Sequence, residues 1–281
     1  MPGWMPSCRT KRPTRALPEP NATTIDGFLG NRIRLIQPAV GHRAGLDAAL
    51  LQAMIPDDAR GHLIDLGTGT GAVAMSAAAR ASGLTATGVD IDGDLIALAE
   101  RSLALAENRA ISGRLAFVQA DAAAARHERE AAGLSDASAD WVTMNPPFDV
   151  TGQVRASPDA ARRQAHIGSP SLLADWLRTA SGLLRPRGRL AIVHRADALK
   201  HLLDALHGRF GAVSVLPVHP RRGHKATRIL VSAVRGAKAP LTIQPGLVLH
   251  GANGTWAEAA AAIVNGTSCL GDALQIPSDQ G

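Results

Sequence analysis

Apolar residues recur along this chain at two spacings, and the alternation between the two predicts the fold. From residue 61 onward, short apolar runs such as HLIDLG and TATGVD alternate with longer runs of helical periodicity such as GDLIALAERSLALAEN. Further strands are predicted at RLAFVQAD, WVTMN and RLAIVHR. Strands that alternate with helices are typical of a parallel, doubly wound α/β sheet. The last pair, AVSVLPVHP and RILVSAV, has no helix between its strands and predicts an antiparallel edge hairpin, giving a mostly parallel sheet of seven strands.

The flanking segments complete the predicted organisation. Residues 1–22 are basic and rich in proline, which predicts a flexible arm. The rest is predicted to be one domain over 23–266, followed by a tail over 267–281. Within that domain, 23–56 form a hairpin and a short helix, 57–236 form the core, and 237–266 form an extension with a short strand and a helix.

Composition and charge limit the cellular location and the kinds of partner that we expect for this protein. Cys8 and Cys269 are the two cysteines of the chain and lie near its opposite ends, which argues against a disulfide framework and against a cysteine metal site. The start lacks the apolar core of a secretory signal, and no apolar run reaches membrane-spanning length. We therefore expect a cytoplasmic protein without a membrane partner. The formal charge of +6 suits a polyanionic partner without requiring one, and the oligomeric state stays open, a monomer included.

A glycine-rich turn, DLGTGTGAV, lies between the first strand and the first helix of the alternating region. Gly67, Gly69 and Gly71 let the backbone bend tightly and approach a ligand without obstruction from side chains. Such turns bind ligands in doubly wound folds. Read as Gly67-x-Gly69-x-x-Ala72 with Asp90 downstream, the turn also satisfies the dinucleotide fingerprint. An NAD(P)-dependent oxidoreductase is therefore one interpretation of this turn.

Three carboxylates favour a different ligand. Asp65, Asp90 and Asp121 each close one of three successive predicted strands, so all three are expected at the carboxyl edge of the sheet. A single aspartate at such a place can simply cap a helix or hold a turn. Three of them beside a glycine turn suit a cationic ligand better than a pyrophosphate. S-adenosyl-L-methionine, which carries an ammonium and a sulfonium, is such a cofactor.

The fourth strand ends in Asn145-Pro146-Pro147-Phe148, and this motif predicts the acceptor chemistry. A planar NH2 group is a poor nucleophile because its lone pair is delocalised. The side-chain oxygen of Asn145 and the carbonyl of Pro146 could accept its hydrogens and stabilise the positive charge that develops during attack. The prolines hold these acceptors in place before the substrate arrives, and Phe148 offers a face for stacking a planar group. The chemistry needs no metal, and the histidines show no recognisable ligand spacing.

Together these motifs resemble motif I and the NPPF motif of the class I methyltransferases, which have a Rossmann-like fold. The resemblance implies that Asp65 and the glycines contact the methionyl end of the cofactor, that Asp90 binds the ribose hydroxyls and that Asp121 lies near the adenine amine. It also implies that the segment GHRAGLDAALL closes over the cofactor, with Gly45 and Asp47 near the methionyl group. The cofactor-binding residues expected on this basis are Gly45, Asp47, Asp65, Gly67, Thr68, Gly69, Gly71, Asp90, Ile91, Asp121, Ala122 and Asn145.

From Thr24 to about Gly266 the chain resembles the bacterial tRNA(Val) adenine-N6 methyltransferases, which belong to the small-domain group. RIRLIQPAVGHRAGLDAALL, DLGTGTGAV, NPPFDV, RRQAHIG and HPRRGHKATRILV carry this resemblance. It implies methylation of an adenine N6 amine beside the anticodon, with tRNA as the partner. Glutamine side chains of proteins and the guanine N2 amine of ribosomal RNA are alternative acceptors, because each is also a planar NH2 group.

Two basic clusters are candidate RNA contacts. One follows the NPPF motif, and the other lies near the end of the alternating region, between its last two strands. Each residue alone is more often a solvated surface charge, but basic residues around one crevice can neutralise the phosphates of an anticodon arm. The candidates are Arg162, Arg163, His166, Arg221, Arg222, His224, Lys225 and Arg228.

Overall fold

The computed structural model describes residues 22–41, 43–147 and 170–274. Phe148, Arg162, Arg163 and His166 lie outside these residues, as does almost all of the predicted N-terminal arm. In the part of the chain that the structure describes, no helix is long and apolar enough to span a bilayer.

A nine-stranded sheet forms the centre of the molecule, and a separate two-stranded hairpin lies beside it. The hairpin consists of β1 (Thr23–Phe28) and β2 (Ile33–Pro38). The strands of the central sheet are β3 (Arg60–Leu66), β4 (Gly83–Asp90), β5 (Leu115–Gln119), β6 (Ala139–Met144), β7 (Leu184–Arg195), β8 (Phe210–Arg221), β9 (Arg228–Arg235), β10 (Thr242–Ile243) and β11 (Leu247–His250). Their order is β10-β8-β9-β7-β6-β3-β4-β5, and β11 also pairs with β8.

The helices connect the strands and lie on both faces of the sheet. They are α1 (Leu46–Ala53), α2 (Ala72–Arg80), α3 (Gly93–Leu103), α4 (Arg109–Ser112), α5 (Arg126–Ala131), α6 (Pro170–Leu183), α7 (Leu199–Leu206), α8 (Glu258–Val264) and α9 (Leu270–Leu274). The last of these lies within the segment that the sequence predicted to be a tail, and its first residue, Leu270, is buried.

The fold class predicted from the sequence is confirmed, with one correction at the edge. Strands β3 to β7 are mutually parallel, and β9 runs antiparallel to both β7 and β8. The seven predicted strands are β3 to β9. The β8–β9 hairpin is not the edge of the sheet, because β10 and β11 pair with β8 and extend the sheet to nine strands. β11 is the short strand predicted within 237–266, whereas β10 has two residues, too few to produce a periodic signal.

Apolar side chains bury both faces of the central sheet, as a doubly wound fold requires. On one face, Trp176 and Leu177 of α6 and Leu202 of α7 pack against strand residues. On the other face, Leu50 and Leu51 of α1 pack with apolar residues of β7, β8 and β11. The strands therefore hold a fixed register, and the residues at their carboxyl ends are held in fixed relative positions.

The β1–β2 hairpin anchors the segment that leads into α1. Ile33 and Leu35 are buried in a cluster that includes residues of α2, which fixes one face of the hairpin. Asp26, the strand partner of Leu35, accepts a hydrogen bond at 2.6 Å from Nη2 of Arg43. The Oε1 atom of Gln37 accepts a bond at 2.7 Å from the backbone N–H of Ala44. The start of α1 is thus tied to the hairpin by polar contacts on both of the residues that precede Gly45.

Candidate active site

The predicted cofactor residues meet at the carboxyl edge of the sheet because neighbouring parallel strands end there in register. The Cα partner of Asp65 is Gly88 on β4 and Thr143 on β6. Strand β4 ends two residues beyond its partner, at Asp90, and Asn145 follows Thr143 by two residues. Thr143 therefore lies beside Asp65 on β6, and Asn145 follows directly after that strand ends at Met144.

Asp65 lies beneath the glycine turn and links it to the strand of the NPPF motif. Its carboxylate is 2% exposed. One oxygen accepts a hydrogen bond from the Thr68 hydroxyl at 2.6 Å, and the other accepts one from the Thr143 hydroxyl at 2.7 Å. Burial raises the pKa of Asp65 from 3.8 to about 6, although both hydrogen bonds oppose the rise. No ion pair to Asp65 is found among the described residues, so the site favours a cationic ligand near this carboxylate.

The three glycines of the turn have different reasons to lack a side chain. All three have positive φ, at +71° for Gly67, +56° for Gly69 and +84° for Gly71. A Cβ on Gly67 would lie 2.7 Å from the ring of Trp176, and one on Gly71 would lie 2.7 Å from the ring of Phe117. A Cβ on Gly69 would meet nothing within 4 Å. Gly67 and Gly71 therefore serve packing below the turn, whereas Gly69 faces the open side where a ligand would lie.

The hydrogen bonds of the turn argue against a pyrophosphate ligand. Dinucleotide sites present free backbone N–H groups to phosphate oxygens. Here the N–H groups of Gly67 and Thr68 both donate to the carbonyl of Val89, at 2.8 and 2.9 Å. The N–H of Gly69 donates to Oδ2 of Asp90 at 2.8 Å. These three donors are already engaged, one of them by the carboxylate of Asp90, whose negative charge disfavours a phosphate nearby.

Asp90, which is predicted to bind the ribose hydroxyls, has a fixed carboxylate beside an exposed apolar residue, Ile91. The other oxygen of Asp90 accepts a hydrogen bond from the backbone N–H of Asp92 at 3.0 Å, which fixes the plane of the carboxylate. A carboxylate held by two donors retains lone pairs for hydroxyl groups. Ile91 follows directly and is 59% exposed, so it offers an apolar surface to a planar ring.

The third predicted aspartate has a more local role in this structure. Asp121 is exposed, and its Oδ1 accepts a hydrogen bond from the backbone N–H of Ala123 at 2.7 Å. The neighbouring Ala122 is buried in the core. Both residues remain predicted members of the adenine site.

Among the residues that the structure describes, the side-chain oxygen of Asn145 has no hydrogen-bond donor. Its Oδ1 atom is buried and receives no hydrogen bond from any residue that the structure describes. Buried polar atoms are nearly always paired, and leaving one unpaired costs on the order of 1–3 kcal/mol. Pro146 is buried and Pro147 is half-buried, so the backbone after Asn145 is held by packing as well as by the proline rings. An unpaired acceptor in a rigid frame suits a substrate that brings its own N–H donor.

Asp47, at the start of α1, has a partner that the sequence reading did not anticipate. Nε of Arg228 lies 3.1 and 3.2 Å from the two oxygens of Asp47, and Arg228 is the first residue of β9. Gly45, just before the helix, is exposed, and a Cβ there would meet nothing within 4 Å. Arg228 of the β8–β9 hairpin therefore holds in place the residue that was predicted to lie near the methionyl group.

Unlike Arg228, the other described basic candidates are exposed to solvent. Arg221, Arg222, His224 and Lys225 are exposed on the turn between β8 and β9. This turn stands at the carboxyl edge, because the first residue of β9 pairs with Arg195, the last residue of β7. The turn and Asn145 therefore lie at the same edge of the sheet.

Sequence reasoning missed Thr143 and the pairing of Arg228 with Asp47. The first could have been found, since Thr143 precedes Asn145 by two residues and a polar side chain in a buried strand needs a partner. The second carries no local signal, because the two residues are 181 positions apart.

The contrast between Gly67 and Gly69 gives a matched pair of variants. Gly67→Ala must displace Trp176 in the core as well as adopt positive φ, so we expect it to lower the free energy of unfolding by about 1–3 kcal/mol more than Gly69→Ala does. Gly69→Ala should mainly weaken binding of S-adenosylhomocysteine, the demethylated cofactor. Urea unfolding and calorimetry measure the two effects. Equal destabilisation by both substitutions would contradict this division of roles.

The raised pKa of Asp65 predicts how stability depends on pH. The unfolded carboxyl ionises near pH 3.8 and the folded one near 6, so ionisation of Asp65 removes stability as pH rises through this window. The shift corresponds to roughly 3 kcal/mol. Asp65→Asn has no carboxyl to ionise and so avoids this penalty. The free energy of unfolding of Asp65→Asn minus that of wild type should therefore increase by about this amount as the pH is raised from about 4 to about 8.

Denaturation at the two pH values measures this difference. Asp58→Asn, at an exposed position, controls for the loss of one carboxylate. A difference between Asp65→Asn and wild type that stays constant with pH would show that the buried carboxylate carries no such penalty. The same variant should bind S-adenosylhomocysteine more weakly at neutral pH, since it no longer places a negative charge below the turn.

Known proteins resemble this chain across most of its length. Two are named tRNA1(Val) (adenine(37)-N6)-methyltransferase. The one from Porphyromonas gingivalis strain W83 is 29% identical over 242 residues, which cover 82% of this chain and 89% of that protein. The one from Aeromonas hydrophila is 27% identical over 250 residues, which cover 83% and 92%. A crystal structure from Agrobacterium tumefaciens, described as a predicted O-methyltransferase, is 31% identical, covers 79% of this chain and 97% of its own, and superposes with a TM-score of 0.68.

The family comparison separates the two readings of the glycine turn. Residues 36–221, which include the glycine turn and the NPPF motif, match the family model described as methyltransferase small domain. The prediction of a methyltransferase is thereby confirmed over that of an NAD(P)-dependent oxidoreductase. The chain belongs to the methyltransferase small domain family.

Proposed function

We propose that this protein transfers the methyl group of S-adenosylmethionine to the N6 amine of an adenine in tRNA. The relatives named above as adenine-N6 methyltransferases of tRNA1(Val) support this substrate, and their similarity extends over more than four-fifths of this chain. The adenine beside the anticodon of a valine tRNA is the specific acceptor that these relatives suggest. A tRNA substrate also agrees with the cytoplasmic location predicted from the sequence.

The observation that carries the proposal is the unpaired Oδ1 of Asn145. An amide oxygen accepts a hydrogen bond but does not remove a proton at neutral pH, so it suits an amino acceptor better than a hydroxyl acceptor, whose proton must be taken by a base. The two prolines restrict the backbone that follows Asn145, and Pro146 is buried, so the residue that carries this oxygen is held in place before the substrate arrives. The site is therefore better matched to an N-methyltransferase than to the O-methyltransferase chemistry by which the Agrobacterium protein is described.

S-adenosylmethionine supplies an electrophilic methyl group on a sulfonium. The residues that would hold this cofactor are Asp65, Gly69 and Asp90, with Ile91 along the adenine and Gly45 and Asp47 over the methionyl end. The fit rests on the open side of Gly69, the carboxylate of Asp90 held by two backbone donors, and the uncompensated negative charge of Asp65.

The residues of this chain act mainly on the acceptor. Asn145 Oδ1, together with the carbonyl of Pro146, would accept the two hydrogens of the amine and turn its lone pair out of the plane of the base. As the new N–C bond forms, positive charge grows on this nitrogen, and the two fixed oxygens stabilise it. The surplus proton leaves to water after transfer. Phe148, outside the described residues, is expected to stack on the base.

Replacement of Asn145 tests the role of the unpaired acceptor. Asn145→Ala should lower kcat by at least about a hundredfold, the cost of removing one fixed hydrogen-bonding group from a transition state. Asn145→Asp keeps an acceptor oxygen at the same place and should retain more activity than Asn145→Ala. Methyl transfer from labelled cofactor measures both.

Binding of S-adenosylhomocysteine to the same variants separates acceptor chemistry from cofactor binding. We expect its Kd to stay within about threefold of wild type for Asn145→Ala, because the residue acts on the acceptor. A large loss of cofactor affinity would count against the assigned role.

The exposed basic turn between β8 and β9 supports RNA binding at the same edge of the sheet. Arg221→Glu combined with Lys225→Glu should weaken tRNA binding. It should also lower the slope of log Kd against log salt by about 1 to 2, because binding releases fewer counterions when fewer phosphates are neutralised. Arg209→Glu combined with Lys238→Glu makes the same change in charge at exposed positions near the opposite edge of the sheet and is the matched control. Equal effects of the two double variants would remove the turn from the RNA interface.

The acceptor itself is identified by offering labelled cofactor separately to total tRNA, ribosomal RNA, DNA and a protein extract. Digestion of labelled tRNA to nucleosides should give N6-methyladenosine. Label in guanosine of ribosomal RNA or in protein glutamine would replace the proposal by one of those alternatives.

A further inference from the structure

We propose that Trp256 is a second base-stacking site, which holds an unpaired nucleobase of the RNA other than the base that is methylated. This inference rests on the proposed function, since it assumes an RNA substrate. Trp256 lies in the C-terminal extension, between β11 and α8, and none of the predicted cofactor or catalytic roles uses it.

The indole of Trp256 is both exposed and rigidly held. Its side chain is 42% exposed. On one side the ring packs on the imidazole of His250, with centroids 4.5 Å apart and planes tilted by 34°. The backbone on either side is fixed, since Gly251 N–H donates to the carbonyl of Thr255 at 2.9 Å and Ala257 N–H donates to that of Leu249 at 2.8 Å. An aromatic ring held in this way binds a planar partner at little cost in ordering.

A cleft adjoins the indole and has the size of a small planar ligand. Its volume is about 360 Å³, and Trp256, Phe28, Asn31, Gly45 and Asn265 are among the residues that line it. Neither Gly69 nor Asp90 lines this cleft, so it is distinct from the predicted cofactor turn. Gly45 does line it, which places the cleft beside the segment expected to cover the methionyl end.

Charge identifies the occupant as a nucleotide rather than an apolar group. The residue that supports the indole, His250, is the strand partner of Arg221. Arg221 begins the exposed basic turn that continues through Arg222, His224 and Lys225. An exposed aromatic ring beside a cationic turn is the arrangement by which proteins bind single-stranded nucleic acid, with bases on the rings and phosphates on the cations.

Topology puts this platform at the same edge of the sheet as the catalytic motif. Strand β11 runs parallel to β8, and β8 ends at the basic turn at the carboxyl edge. Asn145 follows β6 at that edge. A base that leaves a loop to reach Asn145 has unpaired neighbours, and one of these is the expected occupant of the cleft.

Substitution of Trp256 in the full chain tests the inference. With total tRNA as acceptor, Trp256→Ala should raise the KM for tRNA about tenfold, the loss expected for one stacked base, with kcat changed less than twofold. Trp256→Phe keeps an aromatic face and should recover most of the affinity, whereas Trp256→Leu should not. Ile243→Ala removes another exposed apolar side chain, on β10, and should leave the KM unchanged.

Salt dependence distinguishes stacking from phosphate contact and from misfolding. Trp256→Ala should weaken RNA binding without changing its salt slope, because no cation is removed. Its unfolding midpoint and its Kd for S-adenosylhomocysteine should match wild type. A KM within twofold of wild type, a changed salt slope, or a Trp256→Phe variant as weak as Trp256→Ala would each overturn the assignment.

The inference can fail separately from the proposed function. Absence of methyl transfer from wild type to any tRNA would refute the proposed function. Binding of a short fluorescein-labelled single-stranded RNA by wild type and Trp256→Ala, which needs no turnover, would then still decide whether the indole stacks on bases. Equal binding by the two proteins would refute the stacking site while leaving methyl transfer intact.

Discussion

The site depends on one buried carboxylate. One oxygen of Asp65 accepts a hydrogen bond from the Thr68 hydroxyl, and the other accepts one from the Thr143 hydroxyl. A single side chain thus joins the glycine turn to β6, the strand that precedes Asn145. Burial of this charge is unfavourable, as its pKa of about 6 indicates. A chain that retains such a cost beneath an open glycine turn trades folding stability for affinity toward a cation. The predicted cofactor side and the predicted acceptor side of the site are therefore held together by the same group.

Near Asp65, backbone N–H groups hold the carboxylate of Asp90 in place, whereas the side-chain oxygen of Asn145 has no donor among the described residues. Asp90 is held by the N–H groups of Gly69 and Asp92, which sets its orientation before any ligand binds. Asn145 differs from Asp90, because its buried side-chain oxygen has no hydrogen-bond partner among the described residues. The first arrangement suits a group that must recognise hydroxyls, and the second suits a group whose partner arrives with the substrate. Both arrangements lower the cost of reorganisation during the reaction.

Much of this could be predicted from the sequence, and the failures have physical causes. The alternation of strands and helices, the glycine turn and the aspartates at strand ends are local patterns, so they predicted the fold class and the edge where the site lies. The extension strand β11 was predicted, but β10 and the pairing of both strands with β8 were not, because two residues carry no periodic signal and the pairing joins distant parts of the chain. The different duties of Gly67 and Gly69 also required the structure, because Trp176, whose ring lies against Gly67, is distant in sequence.

The ion pair between Asp47 and Arg228 affects the order in which the enzyme folds during its synthesis. It joins residues 181 positions apart, and most of the central sheet lies between them in the chain. A growing polypeptide that has emerged just past β6 already contains the glycine turn, Asn145 and the hairpin contacts of Arg43 and Ala44, but Asp47 at the start of α1 still lacks its partner. Long-range contacts of this kind form late because the intervening chain must be ordered first. The nascent protein therefore completes the contacts that hold the start of α1 only after β9 has left the ribosome.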